Sequence, residues 1–319
     1  MRPEPMGWKH WGAFLVVSLI AGTAFMFIKL GLRELHPFNL LFWRLLLGVS
    51  VLGALAAVLR VRWPRRLEGW VAIISVGLGN VALPQLLIFW SQQTVDTTIT
   101  AVLVATTPFH TLFTARLLLR DETITPRKLL AMLLAFSGVV MLLWQALGTV
   151  TGAGWAVLLP LVSAFCFATS SVAARRFGGG VHPLMMALGA TITALLVVGP
   201  LVFLTPGAFT VPQQPLSWLA ISVLGVLGGG VSYVLFFFLI GSVGPTRAQM
   251  NAFVFPLVTM ATGVVVLGEK LEPQLLLGGA MILGGIWVFI RPPAARAAQP
   301  APVAAMPQPV PQTGAPSGE

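Results

Sequence analysis

The feature that most limits what this chain can fold into is the length of its charge-free runs. No Asp, Glu, Lys or Arg occurs between Lys128 and Arg175, and none between Arg176 and Arg247. In an ordinary soluble domain roughly a quarter of the residues are charged and supply the water-facing surface. Here the share is 9%, with a mean hydropathy of +0.91. The solvent for such a chain is lipid, and the expected elements are helices of about 20 apolar residues, enough to cross a bilayer.

Each long run holds two spans and a turn. Gly148 to Gly154 divides the first, and Thr205 to Pro215 divides the second. The remaining runs fit one span each. The pattern predicts an all-α integral membrane protein with ten transmembrane helices, beginning near Trp11, Phe38, Gly69, Thr97, Leu129, Trp155, Leu184, Leu216, Ala248 and Gln274. The formal charge of +10 would suit nucleic acid only if the basic residues shared one soluble face. They are instead parted by the spans. With the N-terminus inside, Arg2, Lys9, the cluster Arg60, Arg62, Arg65 and Arg66, and Arg116, Arg120, Arg127 and Lys128 are cytoplasmic, as are Arg175, Arg176, Arg247, Arg291 and Arg296. Only Lys29, Arg33, Arg44 and Lys270 fall in the membrane or outside. This positive-inside bias predicts a multi-pass protein of the cell (inner or plasma) membrane with both termini cytoplasmic. Trp8, Trp70, Trp155, Trp218 and Trp287 sit near span ends, as interfacial tryptophans do. The apolar run from Trp11 to Ile28 is longer than the core of a secretory signal, so it is read as a mature span. The single cysteine, Cys166, lies within the sixth span and is expected to pack.

The chain also repeats itself. His36-Pro37-Phe38-Asn39-Leu40 recurs as His182-Pro183-Leu184-Met185-Met186, an offset of 146. Glu122-Thr123-Ile124-Thr125-Pro126 recurs as Glu269-Lys270-Leu271-Glu272-Pro273, and Gly138 as Gly285, both at 147. Two repeats of five spans are expected, over residues 1–146 and 153–290. Because five is odd, the second repeat enters the membrane inverted. Inverted repeats of this kind place a site near the bilayer midplane between the halves. Residues 291–319, rich in Pro, Ala and Gln, are expected to form a disordered cytoplasmic tail.

With these residues in view, the chain resembles the EamA family of the drug/metabolite transporter superfamily. The resemblance rests on Trp11-Gly12 opening the first span, Lys29 at its end, Pro37 and Arg44 in the second, and the two segments from proline to glutamate that close spans four and nine. It covers about residues 8 to 290 in two copies, and the order and duplication of its motifs make it specific. It implies ten helices, cytoplasmic termini and the transport of amino acids, other metabolites or drugs, often outward. Two features depart from the family's pattern: Arg120-Asp121-Glu122 is one residue longer than its counterpart, and Arg44 has Ala190 at its repeat position.

Polar residues inside spans are the candidate substrate contacts: Asn80, Gln85, Thr107 and His110 in the first half, and Ser232, Tyr233, Gln249 and Asn251 in the second. They fall on spans three, four, eight and nine, which pair under the repeat, although interhelical hydrogen bonding is the plainer use of each alone. Pro108 and Pro256 lie mid-span at matching repeat positions. A proline there removes one backbone hydrogen bond and displaces the carbonyl four residues back, here Val104 and Ala252, so both are expected to mark helix breaks or hinges beside the site. Lys29, Arg44, Asp96, Glu122, Arg247 and Glu269 are read as structural or gating charges. Arg44 is expected to pair with a carboxylate, Asp96 or Glu269. No acid lies near any span's middle, which disfavours proton-coupled exchange of cationic drugs and favours neutral, zwitterionic or anionic cargo.

The function expected is secondary transport of small metabolites, amino acids or related compounds, by export or facilitated exchange. The partners are the bilayer and a small-molecule substrate, with no cofactor, metal or nucleic acid; no oligomeric state is specified. The alternative, an integral membrane enzyme acting on lipid-linked substrates, would need convergent carboxylates, histidines or a metal cluster. No HExxH, Walker loop or nucleophile elbow occurs. The charge asymmetry predicts that, in a Cys166-free background, Arg65→Cys and Arg176→Cys escape impermeant thiol reagents added outside the cell; strong external labelling would refute the topology.

Overall fold

The computed structural model of the chain describes residues 6–119, 123–142, 154–267 and 273–290, and every regular element among them is helical. The helices are α1 (Trp8–Gly31), α2 (Pro37–Val58), α3 (Leu67–Ser91), α4 in two pieces (Thr97–Val104 and Thr107–Leu118) and α5 (Pro126–Leu142). They continue with α6 (Gly154–Phe177), α7 (Pro183–Leu204), α8 (Pro215–Val243), α9 in three pieces (Pro245–Gln249, Met250–Phe253 and Val254–Leu267) and α10 (Pro273–Ile290). Seven of these, α1 to α4 and α6 to α8, are long and apolar enough to cross a membrane. The 24 residues of α1 reach about 36 Å at the helical rise, against a hydrocarbon core of about 30 Å. The chain is an all-α, multi-span membrane protein. The tail from 291 and residues Glu122 and Glu269 lie outside the described residues.

Proline sets many of the starts. It opens α2, α5, α7, α8, α9 and α10, where its missing N–H leaves no bond unmade. His36 and His182, the repeated histidines, both act as N-caps: the Nδ1 of His36 accepts from Phe38 N at 3.4 Å, and that of His182 from Leu184 N at 3.2 Å. Between α8 and α9 the turn is Gly244 alone, at φ 93°, a conformation a side chain would strain.

Packing is chiefly between early and late helices. α2 lies on α7, α3 and α4 on α6, and α1 on α8 and α9. On one face the α7–α8 loop is held by the first half. Asn39 Nδ2 donates to the Thr210 carbonyl at 2.7 Å, and Trp43 Nε1 to the same oxygen at 3.1 Å. Glu34 accepts from Gln213 N at 2.6 Å at the entrance to α8; hydrogen bonds from the Ser217 hydroxyl and from Gln213 and Gln214 hold its carboxyl below the usual range.

The tightest helix pair is α5 with α10, and small residues make it so. A Cβ on Gly138 would lie 2.6 Å from the Gly278 carbonyl oxygen, and one on Gly285 would lie 2.5 Å from that of Ala131. Without a hydrophobic drive in lipid, such backbone approach is the main source of helix association. Gly284, the neighbour of Gly285, has open space around it. Gly285→Ala should therefore lose about 1–3 kcal/mol through overpacking, seen as a lower melting temperature in detergent, while Gly284→Ala should leave it unchanged.

Candidate functional site

Apart from the 3-10 turn that opens α6, four helices among the described residues depart from α-geometry, and all four meet at one cavity. α3 widens into a π segment at Gly77–Ala82, and α8 into another at Val223–Ser232. α4 breaks at Ala105 and Thr106, and α9 passes through a 3-10 turn at Met250–Phe253. Both π segments are rich in glycine: Gly77 and Gly79 in α3, and Gly225, Gly228, Gly229 and Gly230 in α8. The cavity among these irregular stretches has a volume of about 110 Å³.

One wall is apolar. Val17, Ala21, Phe25 and Ile28 present one face of α1, and Phe167, Phe236 and Phe255 complete it. The other wall carries the polar residues picked out from the sequence. Asn80, Gln85, Thr107, Ser232, Tyr233, Gln249 and Asn251 line the cavity, and His110 does not. The His110 ring packs edge-on against Phe165 at 6.0 Å, on the α6 side of α4. Pro108 and Pro256 are buried in the first turns after the breaks and do not line the cavity, but Val104 and Ala252, four residues before them, do. The Val104 carbonyl is satisfied locally, by the Thr107 hydroxyl at 2.5 Å.

Among the described residues, Arg44 is the one charged member of the lining. Its expected pairing with Asp96 does not form. Asp96 is exposed ahead of α4, and Glu269 is outside the described residues. Instead Arg44, 5% exposed, donates from Nη1 to Gln85 Oε1 at 2.7 Å. Its guanidinium carbon stands 5.9 Å from the Phe89 ring and 6.0 Å from that of Tyr233, both within cation–π range. Gln85 turns its Nε2 to the Tyr233 hydroxyl at 3.4 Å. An amide oxygen and two aromatic faces surround the guanidinium, which has no neutralising anion among the described residues. Lys29 likewise has no carboxylate partner among the described residues and donates to the Gln92 carbonyl at 2.9 Å. Arg247 lies in the short first piece of α9.

Residues missed by the sequence reading hold the polar wall in place. Asn80 Nδ2 donates to Ser170 Oγ at 3.3 Å, and Gln249 Nε2 to Ser171 Oγ at 2.7 Å. Both serines donate to the Phe167 carbonyl, which also receives Gln249 at 3.3 Å. Paired serines in an apolar span were the available signal. Asn251 Oδ1 is buried with no hydrogen-bond partner. No group of three or more His, Cys, Asp or Glu able to hold a metal occurs among the described residues.

A model of the EamA-like transporter family matches residues 10–144 and again residues 154–291. An uncharacterized transporter of Archaeoglobus fulgidus is 27% identical over 288 residues, covering 86% of this chain and 94% of its own length. The uncharacterized inner membrane transporter YedA of Escherichia coli K12 is 28% identical over 82% of this chain and 84% of its own. A protein of Streptantibioticus cattleyicolor described as a probable terminal-alkyne amino-acid exporter is 26% identical over 88% of this chain and 93% of its own. A crystal structure 20% identical to this chain superposes with a TM-score of 0.72, over 86% of this chain and 94% of the other, a likeness of fold.

The serine pair makes a checkable contribution. Ser171→Ala removes the better of the two acceptors of Gln249 and should lower stability by about 0.6–1.7 kcal/mol, the range for interhelical hydrogen bonds in membranes. Thermal unfolding in detergent reads the loss, and Ser171→Thr should restore most of it.

Proposed function

The chain belongs to the EamA-like transporter family, and from that premise we propose that it is a secondary transporter of small carboxylate-bearing metabolites, amino acids or related compounds, working by alternating access at the cavity between two inverted five-helix halves. Members of this family are transporters and not enzymes, so the alternative of a membrane enzyme acting on lipid-linked substrates falls away.

One observation carries the choice of cargo: a buried guanidinium, Arg44, lines a cavity to which no described carboxylate contributes. A carboxylate entering there gains charge-assisted hydrogen bonds in a low dielectric. A cation entering there meets repulsion and finds no counter-ion. Cargo that is neutral, zwitterionic or anionic follows, moved by export or facilitated exchange. The apolar wall of α1 with Phe167 and Phe255 gives room for a hydrocarbon side chain. The amino-acid exporter among the relatives is in keeping with this reading.

The two-halved organisation, residues 1–146 and 153–290, is supported by matched irregularities. The π segment of α3 answers that of α8, and the break of α4 answers that of α9. In the α5–α10 pair, Gly138 meets Gly278 and Ile282, while Gly285 meets Ala131 and Ala135. Every one of these residues has its counterpart at the offset of 147, so the contact is reciprocal. Cytoplasmic termini in the cell membrane, with residues 291–319 as a tail dispensable for flux, complete the reading.

Counterflow in proteoliposomes with a broad metabolite panel tests it. Carboxylate-bearing metabolites should exchange and quaternary ammonium cations should not. Arg44→Gln should weaken apparent affinity about 10- to 100-fold, the equivalent of one hydrogen bond to a charged group. Tryptophan at Thr107 or Asn251 should block flux with membrane expression intact. Full transport with tryptophan at both positions would remove the cavity as the site.

A further inference from the structure

Toward the Glu34 face, just beyond the cavity lining, lie Lys29, read above as a structural or gating charge, and Gln92, to which no role has been given. Lys29 lies one helical turn beyond Phe25 on α1, and Gln92 lies one turn beyond Ile88 on α3. Phe25 and Ile88 both line the cavity. The Lys29 ammonium donates to the Gln92 main-chain oxygen at 2.9 Å, so the bridge joins α1 to the C-cap of α3 one turn beyond these two lining residues. The residues on this side are closely covered: Ile28, Ile88 and Phe89 are buried, and Gln92 is 0% exposed.

Gln92 is the unusual member. Its amide is buried with neither Nε2 nor Oε1 hydrogen-bonded to protein. A lysine that merely caps the C-terminal carbonyl of α3 needs no such amide beside it, since an apolar side chain would bury there at no polar loss. A donor and an acceptor kept unused on the residue that holds the ammonium are free to meet a group that arrives when the bridge parts.

We propose that Lys29 and Gln92 are the gate at the Glu34-facing end of the cavity and, once parted, a second binding point for the anionic group of the cargo. This rests on the carrier reading above. In the closed state the ammonium is engaged by the carbonyl at the negative end of α3. In the open state it is released toward the passage, one turn beyond the cavity in which Arg44 waits, and the Gln92 N–H₂ joins it as a donor. Cargo then passes between two positive groups on one path, which speeds anions and slows cations. Nearby acids do not cancel this: Glu34 is occupied at the entrance to α8, and Asp96 is exposed beyond the bridge.

The test uses the full chain with Cys166→Ser and a reporter, Ala21→Cys, on the cavity wall, in membrane vesicles of either orientation. Two impermeant thiol reagents, an anionic sulfonate and a cationic quaternary ammonium, are applied to the Glu34-bearing face. With Lys29 present, labelling should be slow and faster for the sulfonate. Lys29→Met should raise labelling by the cationic reagent at least about tenfold and abolish the preference for the anion, an effect of the size expected from a local charge on a confined path. Lys29→Arg should keep both closure and preference. Unchanged rates or an unchanged preference in Lys29→Met would overturn the proposal. If that variant fails to fold, Gln92→Leu keeps the main-chain carbonyl and should stay closed while losing part of the anion preference; an undiminished preference there overturns it equally. Labelling needs no transported substrate. Carboxylate counterflow with no labelling response sinks the gate alone, and a labelling response without counterflow of any carboxylate sinks the carrier reading alone.

Discussion

The structure depends first on the hydrogen bonds of its own backbone. In a bilayer core there is no water to accept from a stray N–H or donate to a stray carbonyl, and each orphan costs several kcal/mol. Most of the chain obeys this by staying helical from one face to the other. Four helices do not, and none of their departures opens toward lipid alone. The Val104 carbonyl, released where α4 breaks, is taken by the Thr107 hydroxyl. The π segment of α8 is packed on α2, where Gly225 approaches the Arg44 carbonyl and Gly229 approaches Gly48. The irregular backbone gathers around one cavity because that is where protein groups can complete it. Elsewhere α5 and α10 supply the opposite case, regular helices held by close backbone contact that contribute nothing to the lining.

Electrostatics at the cavity follows from the same scarcity of water. An arginine within a span is disfavoured, by about 2.5–3.5 kcal/mol at a helix centre on insertion scales and less nearer an end, where Arg44 lies. The Gln85 amide and the faces of Phe89 and Tyr233 offset a part of this without cancelling the charge. A carboxylate partner would have stabilised Arg44 more, and would also have neutralised it. The arrangement retains a net positive group where an arriving anion is its best remaining partner.

Much of the fold was legible in the sequence, and the reasons differ by feature. Helix starts read from hydropathy fall within three residues of those observed, because a change from polar to apolar sequence is sharp in a chain with so few charges. Polar residues on spans three, four, eight and nine met at one cavity, since a polar group in an apolar span has few places to go. His110 did not join them; an imidazole is apolar enough on its faces to pack against Phe165, so its presence in a span says less than that of an amide. The π segments were not read, although their glycines were visible, because glycine is equally a packing residue in membranes. The lining face of α1 was also hidden. Its Val, Ala, Phe and Ile residues look the same whether they meet cargo or lipid. Of the two carboxylates expected for Arg44, Asp96 stands away from it, and the partners found are ones a tally of charges does not show: an amide oxygen and two aromatic rings.

Gly244 has a mechanical consequence. It is the whole connection between α8 and α9. The ring of Pro245 fixes one torsion on its far side, so the joint keeps little more than the two torsions of the glycine. Such a joint has no slack in which to absorb movement. A tilt of α8 therefore moves the point from which α9 starts, and five residues from that pivot lies Gln249, on the cavity wall. The two helices behave as a crank: rotation of the longer arm, α8, becomes displacement of a polar group at the cavity.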